Sequence, residues 1–148
     1  MTKNEKLFVK ECDCPEIQKL WKPKFRDKFV DSECEEVRTI HEIFIDLEDE
    51  KRKYLMTVYY ITKGGYKGTK TVDRKNHNFI WLPSLSQIIV EISMKKFYCT
   101  LDCDINNENF FCSIVDEKDI TRVECSNEDG FEGATPEISA IKALKEVI

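Results

Sequence analysis

Seven cysteines, two histidines and a basic stretch around paired glycines are the residues of this chain whose types could do chemistry. Three of the cysteines, Cys99, Cys103 and Cys112, fall in KFYCTLDCDINNENFFCSIVDE, which alternates as a β-hairpin turning near Asn106 and Asn107. With that turn, Asp104 faces Asn109, Cys103 faces Phe110, Leu101 faces Cys112 and Cys99 faces Ile114. All three thiols then share one face, where a three-thiolate metal site is geometrically conceivable. The spacing argues the other way, because Cys12-x-Cys14 and Cys99-x-x-x-Cys103 occur but no Cys-x-x-Cys knuckle does. Buried cysteine acting as a small apolar residue is the commoner arrangement. An odd number of cysteines cannot all pair within one chain.

The basic island is KGGYKGTKTVDRK, which reads as a glycine-containing loop from Lys63 to Lys75. Tyr66, Lys67, Lys70, Arg74 and Lys75 are its candidate partner- or ligand-binding residues; a solvated loop is the ordinary reading of such a stretch, and a phosphate or RNA contact the functional one. Its glycines are not in the order of a phosphate-cradling loop followed by Lys-Ser/Thr. His41 and His77 have no partner at a telling spacing, and no Gly-x-Ser-x-Gly elbow is present. No catalytic residue and no cofactor is therefore expected. Acidic runs such as SECEEV, LEDE and NEDGFE suit docking on a basic partner, although solvated turns are their ordinary role. Trp21, Trp81, Tyr59, Tyr60 and Tyr66 are the aromatic anchors an interface would use, Tyr66 being the best placed.

These residues must be positioned by elements of both kinds. CPEIQKLW predicts a short helix from Pro15, stopped by Pro23, and DKFVD a brief strand. EEVRTIHEIFIDL alternates, with Val37, Thr39, His41, Ile43 and Ile45 on one face and Arg38, Ile40, Glu42, Phe44 and Asp46 on the other. With YLMTVYYIT after the charged EDEKRK it makes a first hairpin. Phe79 to Leu82 reads as extended, and Pro83 ends it. Ser84 and Gln87 then form a capping box for a helix over 84–95 whose Leu85, Ile88, Ile89 and Ile92 face a sheet. A short strand is expected through Val123 to Cys125. The closing helix, 136–147, has Thr135 as N-cap, Pro136 first, and Ile138, Ile141, Leu144 and Ile148 as its stripe.

The fold expected is thus α+β: a single domain over 1–148, residues 1–14 forming a flexible arm, with one antiparallel sheet of two hairpins covered by two helices. A length of 148 residues suits one core. Charged residues at 34% against 41% apolar mark a globular chain, and no apolar run approaches the ~20 residues of a spanning helix. MTKNEKLF lacks the apolar stretch of a secretory signal, so the cytoplasm is the expected compartment, where disulfides are disfavoured. Residues 1–74 carry 16 Lys+Arg against 15 Asp+Glu, and residues 75–148 carry 7 against 13. An acidic second half argues against general nucleic-acid binding.

Trp21-Lys22-Pro23 with Asp27 and Phe29, Trp81-Leu82-Pro83-Ser84 with Gln87, and the Thr135-Pro136-Glu137 helix resemble a loose group of small phage and prophage proteins of low-GC Gram-positive bacteria. In that group a WLP-S/T-x-x-Q segment leads a helix and a TPE helix closes the chain. Arg26 stands where the group often has glycine, and Ile88 where it usually has leucine. The resemblance implies a phage accessory protein in a bacterial host cell. Together with the lack of a catalytic set it leads to a non-enzymatic protein, monomer or homodimer, that binds a host protein and modulates it, counter-defence being one instance. The alternative is a small-molecule or nucleotide binder, or a hydrolase, using the Lys63 to Lys75 loop.

Overall fold

The computed structural model describes residues 1–31, 35–45, 55–73, 79–125, 127 and 129–148, with only the backbone of 45, 55, 56, 72 and 73. The fold is α+β, and the chain divides into two compact units: Met1 with Cys12–Leu82, and Thr2–Glu11 with Pro83–Ile148.

The first unit is built on a five-stranded antiparallel sheet. Its strands are β1 (Lys28–Asp31), β2 (Val37–Ile45), β3 (Leu55–Thr62), β4 (Lys67–Asp73) and β5 (Phe79–Leu82), in the order β4-β3-β2-β1-β5. Phe29, Ile40, Val58, Tyr60 and Phe79 make the core on one face, with Trp21 and Ile43 packed against it. β2 departs from the simple alternation: its register with β3 shifts between Ile40 and Glu42, so two residues occupy the space of one. Beyond the bulge the inward positions change parity. Arg38, Ile40 and Ile43 therefore share the inner side, whereas strict alternation separates Ile43 from the other two. The expected first hairpin is β2 with β3, and its EDEKRK turn lies outside the described residues.

The expected basic loop is instead largely β4, which pairs with β3 along its length. Of the loop's described residues, Lys63 to Tyr66 turn the chain, held by Gly65 N–H to the Thr62 carbonyl at 3.0 Å and Tyr66 N–H to Thr62 Oγ1 at 3.2 Å. The helix α2 (Pro15–Lys19) sets Gln18 beside edge strand β5. There the Gln18 amide accepts from Trp81 N–H at 2.7 Å and donates to the Trp81 carbonyl at 3.2 Å. A side chain thus satisfies an edge that would otherwise invite another strand.

The second unit holds α1 (Lys3–Cys12) as far as Glu11, α3 (Leu85–Met94), α4 (Pro136–Lys145) and a three-stranded sheet, β6-β7-β8. Residues 1–14, expected as an arm, are thus mostly helix, and Lys145 donates to Glu11 at 2.6 Å. The strands are β6 (Phe97–Asp104), β7 (Asn109–Asp116) and β8 (Phe131–Gly133). β6 pairs with β7 in the predicted register, Cys99 opposite Ile114 and Asp104 opposite Asn109. The third strand is β8 and not Val123 to Cys125; near the latter the chain makes one bridge, Arg122 to Val115. Ser84 and Gln87 form the expected capping box, and Thr135 accepts from Ile138 N–H at 3.3 Å. Ile88 and Ile92 of α3 and Ile138, Ile141 and Leu144 of α4 are buried. α3 packs on α4 and β6, so the two expected hairpins stand in separate sheets and the Ser84 helix covers the second one.

Candidate functional site

Of the residues expected to bind together, the three that are described, Tyr66, Lys67 and Lys70, do not converge. Tyr66 stands on the β3–β4 turn, 69% exposed. Lys67 and Lys70 are three apart on a strand, so they point to opposite faces of the sheet. Arg74 and Lys75 lie outside the described residues. Lys70 turns inward: its ammonium meets the carboxylate of Asp31, which is fully buried and also accepts from Arg38 Nη1 at 3.1 Å. The Arg38 guanidinium lies over the Tyr60 ring at 4.3 Å, and the Lys70 ammonium over Phe79 at 5.4 Å. This cluster is part of the unit's interior.

Lys67 points outward, onto the side of β2, β3 and β4 that carries exposed rings. Phe44 of β2 is 53% exposed and Tyr59 of β3 is 40% exposed, their centroids 5.4 Å apart in an edge-on arrangement. His41, exposed at the bulge, meets Phe25 edge-on at 6.0 Å, and the Arg26 guanidinium lies over Phe25 at 5.2 Å. His41 and Tyr59 also line a shallow depression of about 170 Å³ with Ile61, Lys67 and Thr69. A strip of four rings, Phe25, His41, Tyr59 and Phe44, therefore runs across the sheet. Lys22, Lys24, Arg26 and Lys28, all exposed, flank Phe25 along the chain, and Glu42 is the exposed acid on the strand between His41 and Phe44.

Phe25 is held by a turn that the sequence does not announce. Arg26 has a positive φ of 72° and donates its N–H to the Ile40 carbonyl at 2.9 Å. Asp27, buried, accepts from the Trp21 indole and from Lys24 N–H, both at 3.0 Å. Trp21 stacks on Trp81 at 6.4 Å and 7°. The turn 24–27 is thereby fastened to the sheet on one side and presents Phe25 to solvent on the other.

In the second unit, the three cysteines of the hairpin separate into a pair and a bystander. Cys99 and Cys112 bring their sulfurs to 3.1 Å, with Cys112 buried and Cys99 half-buried. Cys103 is exposed, and four residues along a strand place it ~13 Å from Cys99. Among the described residues no three His, Cys, Asp or Glu side chains group to hold a metal. A hydrogen bond from Cys112 draws the Cys99 thiol below its ordinary 9.0, against the opposing effect of burial. The same bond, then burial, pushes Cys112 up.

No helix among the described residues is long and apolar enough to cross a membrane. Compared with known protein families, with curated proteins and with solved structures, the chain finds no match.

Proposed function

We propose that this chain is a non-enzymatic accessory protein of phage or prophage type that docks on a host protein in the bacterial cytoplasm and modulates it. The observation that carries the reading is the exposed strip Phe25–His41–Tyr59–Phe44, with three rings on β2 and β3 and Phe25 on the turn beside them. Aromatic and arginine anchors dominate binding hot spots, and rings held by cross-strand contacts lose little entropy on docking. The basic rim at Lys22, Lys24, Arg26 and Lys28 selects a partner segment that is apolar and flanked by acids. The phage setting rests on the resemblance of the Trp21, Trp81 and Thr135 motifs. The nucleotide-binding or hydrolase alternative has less support, because the depression beside Lys67 is small against the ~300–1,000 Å³ of ordinary ligand sites.

The test compares the wild-type protein with Phe44→Ala/Tyr59→Ala and with Tyr66→Ala as bait in host lysate. A stringently retained protein that the double variant loses by more than tenfold and the Tyr66 variant keeps supports the reading. Equal retention by all three baits, or no retained protein, overturns it. Strip-dependent binding of a labelled single-stranded oligonucleotide in place of a protein also overturns it, since rings with a basic rim suit stacked bases too.

A further inference from the structure

A reactive pair of thiols stands apart from the docking strip. Cys99 and Cys112 sit diagonally across the β6–β7 ladder, Cys99 opposite Ile114 and Leu101 opposite Cys112. Their sulfurs, at 3.1 Å, are about 1 Å farther apart than a disulfide bond holds them. Neither packing nor the proposed docking requires two sulfurs to touch. We propose that Cys99 and Cys112 are a thiol-modification site, at which a hydroperoxide converts the pair to an intrachain disulfide.

Exposure assigns the roles. Cys99 is half-buried on edge strand β6 and can be reached by a small oxidant, whereas Cys112 is buried behind it. The Cys99 thiolate, favoured by the hydrogen bond from Cys112, attacks one peroxide oxygen. An S–O bond forms, the O–O bond breaks, and the departing oxygen takes a proton from water, leaving Cys99 as a sulfenic acid. The Cys112 sulfur, already in contact, then attacks the Cys99 sulfur. The S–S bond forms, the S–O bond breaks, and the oxygen leaves as water with the proton of Cys112. Two thiols and one hydrogen peroxide become one disulfide and two waters. Cys103 is diagonal to Cys112 on the other side of Leu101, but it is exposed, and the sulfur that meets Cys112 at 3.1 Å is that of Cys99.

The folded full-length chain is treated with hydrogen peroxide, its remaining thiols are alkylated after denaturation, and it is cut on the N-terminal side of aspartates. Asp102 and Asp104 put Cys99, Cys103 and Cys112 on three different peptides. The expected product links the Cys99 and Cys112 peptides, lacks two hydrogens, and reverts with dithiothreitol. Cys112→Ser is expected to stop at the sulfenic acid, trapped on Cys99 by dimedone, and Cys103→Ser to oxidise as wild type does. A product linked through Cys103 or between chains overturns the proposal. So does oxidation of the pair no faster in the folded chain than in urea, a comparison that needs no variant to fold.

Discussion

Lys70 on edge strand β4 and Asp31 on β1 form an ion pair across the inner face of the five-stranded sheet, at the same carboxylate oxygen that accepts from Arg38. Asp31 is fully buried, Arg38 nearly so, and the Lys70 side chain about one-third exposed. Removing the carboxylate leaves a guanidinium buried without it, which costs about 3–5 kcal/mol for groups so placed. Asp31→Ala is expected to lower the urea midpoint accordingly. Lys70→Met is expected to cost less than Asp31→Ala, because water already screens the ammonium. A loss below about 1 kcal/mol for Asp31→Ala would mean that the site is effectively wet.

Two glycines differ in what a methyl group would meet. A Cβ on Gly133 would stand 2.4 Å from the backbone nitrogen of Ser139 and 2.9 Å from Ile138, both in α4. A Cβ on Gly68 would stand 2.5 Å from the Tyr60 hydroxyl and 2.6 Å from its Cζ, side-chain atoms of a core ring that has to shift but carries no backbone with it. Backbone cannot yield without moving the helix off β8, so Gly133→Ala is expected to cost more than Gly68→Ala. Overpacking costs about 1–3 kcal/mol, and Gly133→Ala belongs at its upper end. Chemical denaturation of both variants checks the order, and a reversed order would refute the close approach of β8 and α4.

What could be read before folding was local. The β6–β7 register followed from alternation around Asn106 and Asn107, and both caps followed from Ser84, Gln87, Thr135 and Pro136. β4 was hidden because KGTKTVD has no apolar alternation; β3 beside it supplies the hydrogen bonds that make it a strand. The bulge at His41 was hidden for a related reason. A regular alternation through Val37 to Ile45 carries no mark of an extra residue, yet one residue reverses every face beyond it. The strip of rings depends on that reversal and on the turn at Arg26, so His41, Phe25 and Phe44 could not be grouped from spacing. Tyr59 was marked by its type alone. The Cys99–Cys112 contact was half legible: the shared face was readable, the separation of Cys103 from the pair was not.

The caps of α3 and α4 supply a matched comparison. Ser84 Oγ accepts from Gln87 N–H at 3.3 Å, while Gln87 Oε1 accepts from Ser84 N–H at 2.7 Å. Thr135 accepts from Ile138 N–H but has no reciprocal side chain, because Ile138 occupies that position. Either cap replaced by alanine is expected to cost about 1 kcal/mol. Gln87→Ala is expected to cost less than Ser84→Ala, since it leaves the helix's own Gln87 N–H capped by Ser84 Oγ, whereas Ser84→Ala removes that acceptor. Thermal melts of the three variants read this directly, and an unchanged midpoint for Thr135→Ala would show the α4 end to be held by packing alone.

Acid should loosen the β6–β7 turn through one carboxylate. Asp104 accepts from the Asn107 side-chain amide at 2.7 Å and from Asn106 N–H at 3.0 Å, and these bonds, in that order of weight, hold its pKa below the ordinary 3.8. A carboxyl group whose folded value lies below its unfolded value binds its proton more readily once unfolded. Its contribution is therefore complete above pH 3.8 and is lost as pH falls through the lower folded value. The Asn106 and Asn107 amide resonances are expected to titrate together with a midpoint under 3.8, and Asp104→Asn, which keeps an acceptor but no charge, to abolish that titration. A midpoint at or above 3.8 would show that the turn does not favour the ionised carboxylate, and the hydrogen bonds from Asn106 and Asn107 would then be too weak to set the hairpin's register.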